Sequence, residues 1–158
     1  MDITFRMPAG VFNLRAAAII LHDGCILAMK DDRSPYYYLP GGRIALHETA
    51  ESAVLREVRE ELGIDAQILR PLWVNQGFFT EDVTGEKFHE LCVYFLLDVS
   101  GTDLLSRGEN FLQQEGRRTH RFHWLPVAAL KDEYFYPVFL KTKIHNLPEH
   151  LELITDYE

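Results

Sequence analysis

The chain has 158 residues, 47% of them hydrophobic and 25% charged, a size and balance that suit one domain with its own core and exclude a disordered chain. Sixteen Lys and Arg stand against 24 Asp and Glu, a net charge of -8, which disfavours extended nucleic acid or an anionic membrane surface as partner. A small phosphorylated ligand remains compatible, because a bound cation can reverse the sign of a site locally.

The first residues, MDITFRMPAGVF, lack a basic region followed by an apolar stretch of signal-peptide length, and no apolar run of about 18 residues occurs anywhere. The expectation is a cytoplasmic protein, with residues 1–158 as a single domain. Met1–Met7 reads as an edge strand of the kind through which a homodimer forms. In LRAAAIILHDGCILAMKDD, Asp23-Gly24 lies between two apolar runs, a hairpin signal that predicts two antiparallel strands. Cys25 and Cys92 each lie inside an apolar run and far apart in sequence, which favours reduced thiols over a bridge or a metal pair.

YYYLPGG reads as a short aromatic strand stopped by Pro40 and a Gly41-Gly42 turn. A helix follows from about residue 50 to 62: Thr49 is placed to cap it, Glu51 puts a negative charge in its first turn, and Gly63 is placed to end it in a left-handed conformation. AQILRPLWVNQGFF and HELCVYFLLDVS have strand composition and are separated by the turn-like EDVTGEK. RFHWLPV predicts another strand ending at Pro126, VAALKD a short helical turn, and YPVFLKTKIHNL a second helix before Pro148. Strands interspersed with two helices predict an α/β fold, a mixed sheet covered by helices on both faces.

The first helix carries an electrostatic oddity. At about 100° per residue, Val54, Leu55, Val58 and Leu62 form the core stripe, while Glu57, Glu60 and Glu61 share a neighbouring arc that partly overlaps it. Like charges at these spacings cost a few tenths of a kcal/mol per pair. Arg56 at i-4 from Glu60 offsets part of that cost, and a solvated acidic face is the ordinary explanation for such a helix. It does not account for three acids clustered beside the core. A hard divalent cation does, because Mg²⁺ takes oxygen ligands from a few carboxylates and leaves its other positions to water and phosphate. The three acids then read as a preformed half-shell.

From Gly42 the residues run Gly42, five residues, Glu48, seven residues, Arg56-Glu57-Val58, Arg59, Glu60-Glu61, Leu62, Gly63-Ile64. This resembles the Nudix box, G-x5-E-x7-R-E-U-x-E-E-x-G-U with U aliphatic, and every defined position agrees. The resemblance to the Nudix hydrolase superfamily implies an α/β/α sandwich with a mixed sheet. It also implies a box that binds Mg²⁺ or Mn²⁺, and hydrolysis of the diphosphate bond of a nucleoside diphosphate linked to another moiety. On matching positions it implies Glu57, Glu60 and Glu61 as metal ligands and catalytic acids, with Glu60 and Glu61 the direct ligands. Gly42, Glu48, Arg56 and Gly63 would shape the box, Glu48 through a salt bridge to Arg56.

Members of this family place the general base either in the box or in a downstream loop, so Glu115 in LQQEGRRTHRF is the leading outside candidate, followed by Glu90 and Glu109. Tyr36, Tyr37, Tyr38, Phe78 and Phe79 offer stacking surface for a base, although such clusters more often pack a core. Arg33, Arg70, Lys87, Arg117 and Arg118 are candidate phosphate contacts. His120 and His123 fall in no metal-ligand spacing. Two function classes follow: a metal-dependent hydrolase of a small nucleotide-like substrate, and a binding module of the same fold that recognises a nucleotide derivative without turning it over.

Overall fold

In the computed structural model, which describes residues 1–158, the N-terminal segment forms β1 (Thr4–Met7) along the edge of β2 (Gly10–Ile19). Asp23 and Gly24 both adopt left-handed conformations, φ 48° and 71°, as a two-residue turn matched to strand twist requires. The hairpin they close is short. β3 (Leu21–His22) pairs with β4 (Cys25–Lys30) over two residue pairs only. The apolar runs on either side of the turn then part, β2 into one sheet and β4 into another. The expected antiparallel hairpin is present but short, and beyond it each apolar run finds cover for both faces in a separate sheet.

YYYLPGG departs from expectation too. Tyr37 and Tyr38 make only isolated bridges, to Phe135 and Met29, and the glycines are strand, not turn: β5 (Gly41–Arg43) lies antiparallel to the second half of β2. A Cβ on Gly41 would stand 2.3 Å from the Ala16 carbonyl oxygen, so the two backbones meet because no side chain separates them.

The helix α1 spans Ala50–Leu62, as its local signals predict. Thr49 Oγ1 accepts from the Ser52 N–H at 3.1 Å, and Gly63, at φ 66°, donates its N–H to the Arg59 carbonyl. Ala53, Val54, Val58 and Leu62 are buried. Leu55 is only half-buried, and Glu61 is buried in its stead.

β6 (Gln67–Thr80) and β7 (Lys87–Asp98) form a long antiparallel pair beyond α1. β8 (Asn110–Glu115) and β9 (Arg118–Pro126) form a hairpin whose turn uses Gly116 at φ 58°. Residues 127–132 make a 3₁₀ turn, α2 covers Leu140–Lys143, and β10 covers Glu152–Tyr157. The second helix is therefore much shorter than YPVFLKTKIHNL suggested. It has no side-chain cap, and the N–H groups of Leu140 and Asn146 bond three residues back, at its two ends, so it tapers into tighter turns.

One mixed sheet runs β1-β2-β7-β6-β10, with β5 also paired to β2, and an antiparallel sheet runs β3-β4-β9-β8. β2 pairs in parallel with β7, and β6 with β10. Residues of β2 alternate between two cores. Ala16 and Ala18 pack with Val54, Val58 and Leu62 of α1, whereas Ala17 and Ile19 pack with Leu130 and Leu140 on the far side. Helical segments thus cover both faces, the α/β/α layering anticipated from sequence. Strands buried on both faces read as unbroken apolar runs, which is why LRAAAIIL shows no alternation. Cys25 and Cys92 are free thiols. No helix is long and apolar enough to cross a membrane.

Candidate active site

Polar or small residues at a spacing of two share one face of three neighbouring strands: Asn13 and Arg15 on β2, Glu90 and Cys92 on β7, Asn75 and Gly77 on β6. Strand register sets them side by side, Asn13 opposite Glu90 and Arg15 opposite Cys92, with Asn75 and Gly77 against Cys92 and Glu90. They form the floor of a cavity of about 500 Å³, within the usual size range of small-molecule sites. This period-two polarity was the available signal for the floor. Arg15, Asn13 and Asn75 belong to no charge cluster along the chain.

α1 packs against the opposite face of β2, yet Glu57 and Glu61 line this cavity. They reach it over β5, where the glycines leave room. A Cβ on Gly42 would lie 2.3 Å from both Cδ and Oε1 of Glu57, so the space a side chain would fill is occupied by the carboxylate. Glu61 is 6% exposed and accepts from the Gly41 N–H at 3.0 Å. Burial, then the charge of Glu57, pushes the Glu61 carboxyl well above the usual carboxylate range. Burial raises that of Glu57 as well. Two acids that resist ionisation beside each other form a site short of positive charge.

Arg56 supplies part of that charge. Its guanidinium donates to both oxygens of Glu48 at 2.7 and 3.0 Å, to Glu57 Oε1 at 2.7 Å and to the Arg43 carbonyl at 3.1 Å. The expected Glu48 bridge is present, and so is the weaker contact to Glu60 at 3.4 Å. Arg56 thus touches Glu48, Glu57 and Glu60 together. Glu60 is exposed and stands outside the cavity lining. No three acidic, imidazole or thiol side chains are already gathered at ion-binding distance, because Glu57 leans to Arg56 and Glu61 to the Gly41 N–H. The expected half-shell is therefore not closed by protein groups alone. Its donors are hard carboxylate oxygens next to open cavity, which fits a cation that keeps water or phosphate in its remaining positions.

The Arg56 fork holds the Glu48 carboxyl down at about 2, from 4.5. A depressed folded pKa means that the pair contributes stability above pH 4.5 and loses it as pH falls toward 2. Glu48→Gln should lower the urea midpoint at pH 7, and that difference should close between pH 4.5 and 2.

Of the outside candidates, Glu115 lines the cavity from the end of β8. Glu90 is part of the floor, 9% exposed, with Arg15 Nη1 at 3.8 Å. Glu109 is exposed and elsewhere. Tyr36, Tyr38 and Phe79 line the cavity, whereas Tyr37 and Phe78 do not. Tyr136, which nothing in the sequence marked, joins them: the Tyr36 hydroxyl donates to Glu81 at 2.9 Å and that of Tyr136 to Asp82 at 2.8 Å. Phe79 and Phe88 stack at 5.1 Å beside the floor. Among the basic candidates only Arg118 lines the cavity; Arg33 and Arg117 are exposed, Arg70 bonds the Pro148 carbonyl, and Lys87 borders a separate groove. His120 is in the lining and His123 is not.

Comparison with known proteins agrees with this geometry. The chain is 34% identical over 89 residues to an ADP-ribose pyrophosphatase of Methanocaldococcus jannaschii, covering 54% of this chain and 50% of that protein. It is 31% identical over 98 residues to a putative mutator protein MutT4 of Mycobacterium tuberculosis, covering 62% and 36%. The chain thus spans half or less of the length of these curated relatives. Among solved structures, a MutT protein from Bacillus halodurans superposes with a TM-score of 0.62 at 13% identity, covering 92% of this chain and 89% of that one. An ADP-ribose pyrophosphatase from Streptococcus suis gives 0.57 at 19% identity, covering 91% and 98%. At such identities these two likenesses speak for the fold. The sequence itself matches the NUDIX domain over residues 12–142, and with the box, its supporting salt bridge and the layered fold in place, the chain belongs to the NUDIX domain family.

Proposed function

We propose that this chain is a pyrophosphohydrolase that cleaves the diphosphate bond of a nucleoside diphosphate joined to another moiety, by attack of water on phosphorus. The observation that carries this reading is the meeting of Glu57 and Glu61 from α1 with Glu115 from β8 in one cavity whose other wall is aromatic. Glu57 and Glu61, with Glu60 at the rim, would hold Mg²⁺ or Mn²⁺. The ion, when bound, neutralises phosphoryl oxygen charge and makes water a better nucleophile. Arg56 keeps Glu57 oriented, Gly41 does the same for Glu61, and Arg15 and Arg118 offer positive charge to phosphate oxygens.

Glu115 is the general base in this scheme. It lines the cavity, is about a third exposed, with 31% of its side-chain surface accessible, and lies outside the metal-holding helix. The stacked Phe79 and Phe88, and the hydroxyl-anchored rings of Tyr36 and Tyr136, would seat the nucleoside. Relatives bearing the name ADP-ribose pyrophosphatase make ADP-ribose the first compound to try.

The test is incubation of the purified protein with Mg²⁺ or Mn²⁺ and a panel of ADP-ribose, nucleotide sugars, dinucleoside polyphosphates and nucleoside triphosphates. Release of two phosphorylated products from at least one compound, abolished by chelation, is expected. Tight binding without cleavage across the panel would instead identify a recognition module.

A further inference from the structure

Glu115 ends β8 at the tip of a hairpin, next to the Gly116 turn, where a carboxylate left to itself would sample several rotamers. It is pinned from the facing strand. His120 on β9 sits opposite Gln113 and reaches diagonally across the ladder, its Nε2 2.6 Å from Glu115 Oε2. The imidazole is 3% exposed, lines the cavity and packs edge-on toward Phe122. Its other nitrogen, Nδ1, is buried with no hydrogen-bond partner.

These contacts decide which nitrogen carries the proton. The partner of Nε2 is a carboxylate oxygen, so Nε2 donates. The buried ring makes its one side-chain hydrogen bond to Glu115, and its Nδ1 has no competing partner that would pull it elsewhere.

We propose that His120 is a positioning residue: it locks Oε2 of Glu115 and leaves Oε1, which makes no other hydrogen bond, free to take the proton of the attacking water. In the step it serves, the water oxygen forms a bond to phosphorus and the anhydride P–O bond breaks. The leaving phosphate oxygen keeps the electron pair, and the water proton goes to Glu115. The proposal rests on the hydrolase reading above, and adds that Glu115 works only while His120 holds it, because a base must stay within hydrogen-bond reach of the proton it takes.

The test combines kinetics with a reading independent of turnover. His120→Phe keeps the ring volume but removes the donor, and should lower kcat about tenfold or more with KM within about twofold. His120→Gln, which places an N–H donor at similar reach, should restore most of that loss. Adding His120→Phe to Glu115→Gln should cost nothing further, since the two groups act as one unit. Additive losses, or a His120→Phe enzyme with unchanged kcat, would overturn the proposal even if the hydrolase reading holds. Long-range ¹⁵N–¹H correlation of the imidazole at neutral pH should show a proton on Nε2 held in the hydrogen bond to Glu115 in the wild type and loss of that bond in Glu115→Ala. An Nε2 without a proton would overturn it whether or not any substrate is cleaved. Absence of turnover with the expected spectrum would instead sink the hydrolase reading and leave the pairing intact.

Discussion

Glu61→Gln is expected to lower kcat by roughly two to three orders of magnitude while leaving the fold intact, because the several kcal/mol that a bound cation contributes to the transition state depend on its ligands. The glutamine is nearly isosteric, and its amide oxygen can still accept from the Gly41 N–H that bonds Glu61 at 3.0 Å. Stability should move the other way. Burial raises the Glu61 pKa well above its ordinary value, so in the absence of metal the folded state is penalised as pH rises and this carboxyl is made to ionise. Glu61→Gln removes that penalty. In chelator at neutral pH the variant should melt at or above the wild-type temperature. On adding Mg²⁺ the wild type should gain stability by mass action, and the variant should gain much less. Thermal melts with and without Mg²⁺, read beside kcat, check both halves. A variant that is unstable in chelator, or that keeps wild-type kcat, would remove Glu61 from the metal site.

The adjacent glycines of β5 should fail in opposite ways when given a methyl group. Gly42→Ala places Cβ 2.3 Å from the Glu57 carboxyl carbon, the end of a flexible side chain that can swing aside. The fold should survive with a melting temperature within a few degrees of wild type, about what 1 kcal/mol shifts. Glu57 leaves its position over β5, and activity should drop on the order of tenfold to a hundredfold, since small misplacements of reacting groups are costly. Gly41→Ala instead drives Cβ to 2.3 Å from the Ala16 carbonyl oxygen and 2.7 Å from the Ala17 Cα, at a φ of 151°. Backbone has nowhere to go, and a loss of roughly 3 kcal/mol in unfolding free energy is expected. Denaturation midpoints and kcat measured on both variants separate the two outcomes. Equal loss of stability in both would mean that Gly42 is a structural glycine like its neighbour.

The limits of α1 were readable because Thr49, Glu51 and Gly63 act within a turn of the helix they bound. The Asp23-Gly24 turn is local in the same way, whereas the Arg56 link to Glu48 was implied by the resemblance of residues 42–64 to the Nudix box. Gly41 and Gly42 were misread as a turn, since glycine pairs favour turns locally. Their strand character comes from contact with Ala16 and Ala17 of β2, a contact that local propensity cannot report. β8 and β10 passed unassigned for a similar reason. NFLQQE and ELITDY carry mixed polarity because both form sheet edges, and they become strands only through β9 and β6.

The acids of α1 were legible as a cluster, because helix geometry fixes the relative angles of Glu57, Glu60 and Glu61 whatever surrounds them. What the helix could not say is how each is used. Glu61 is buried, Glu57 is threaded past Gly42 and Glu60 is left exposed outside the cavity lining, and those differences arise where α1 meets β5. Sequence by itself determined the family, the acidic helix and its supporting salt bridge, all set by spacings within residues 42–64. Only the tertiary structure brought Arg15, Asn75 and Tyr136 to the cavity that Glu115 lines and Glu109 does not, and set His120 against Glu115. Those residues lie on different strands and loops, and their neighbourhood is created by sheet register and by packing between the two sheets.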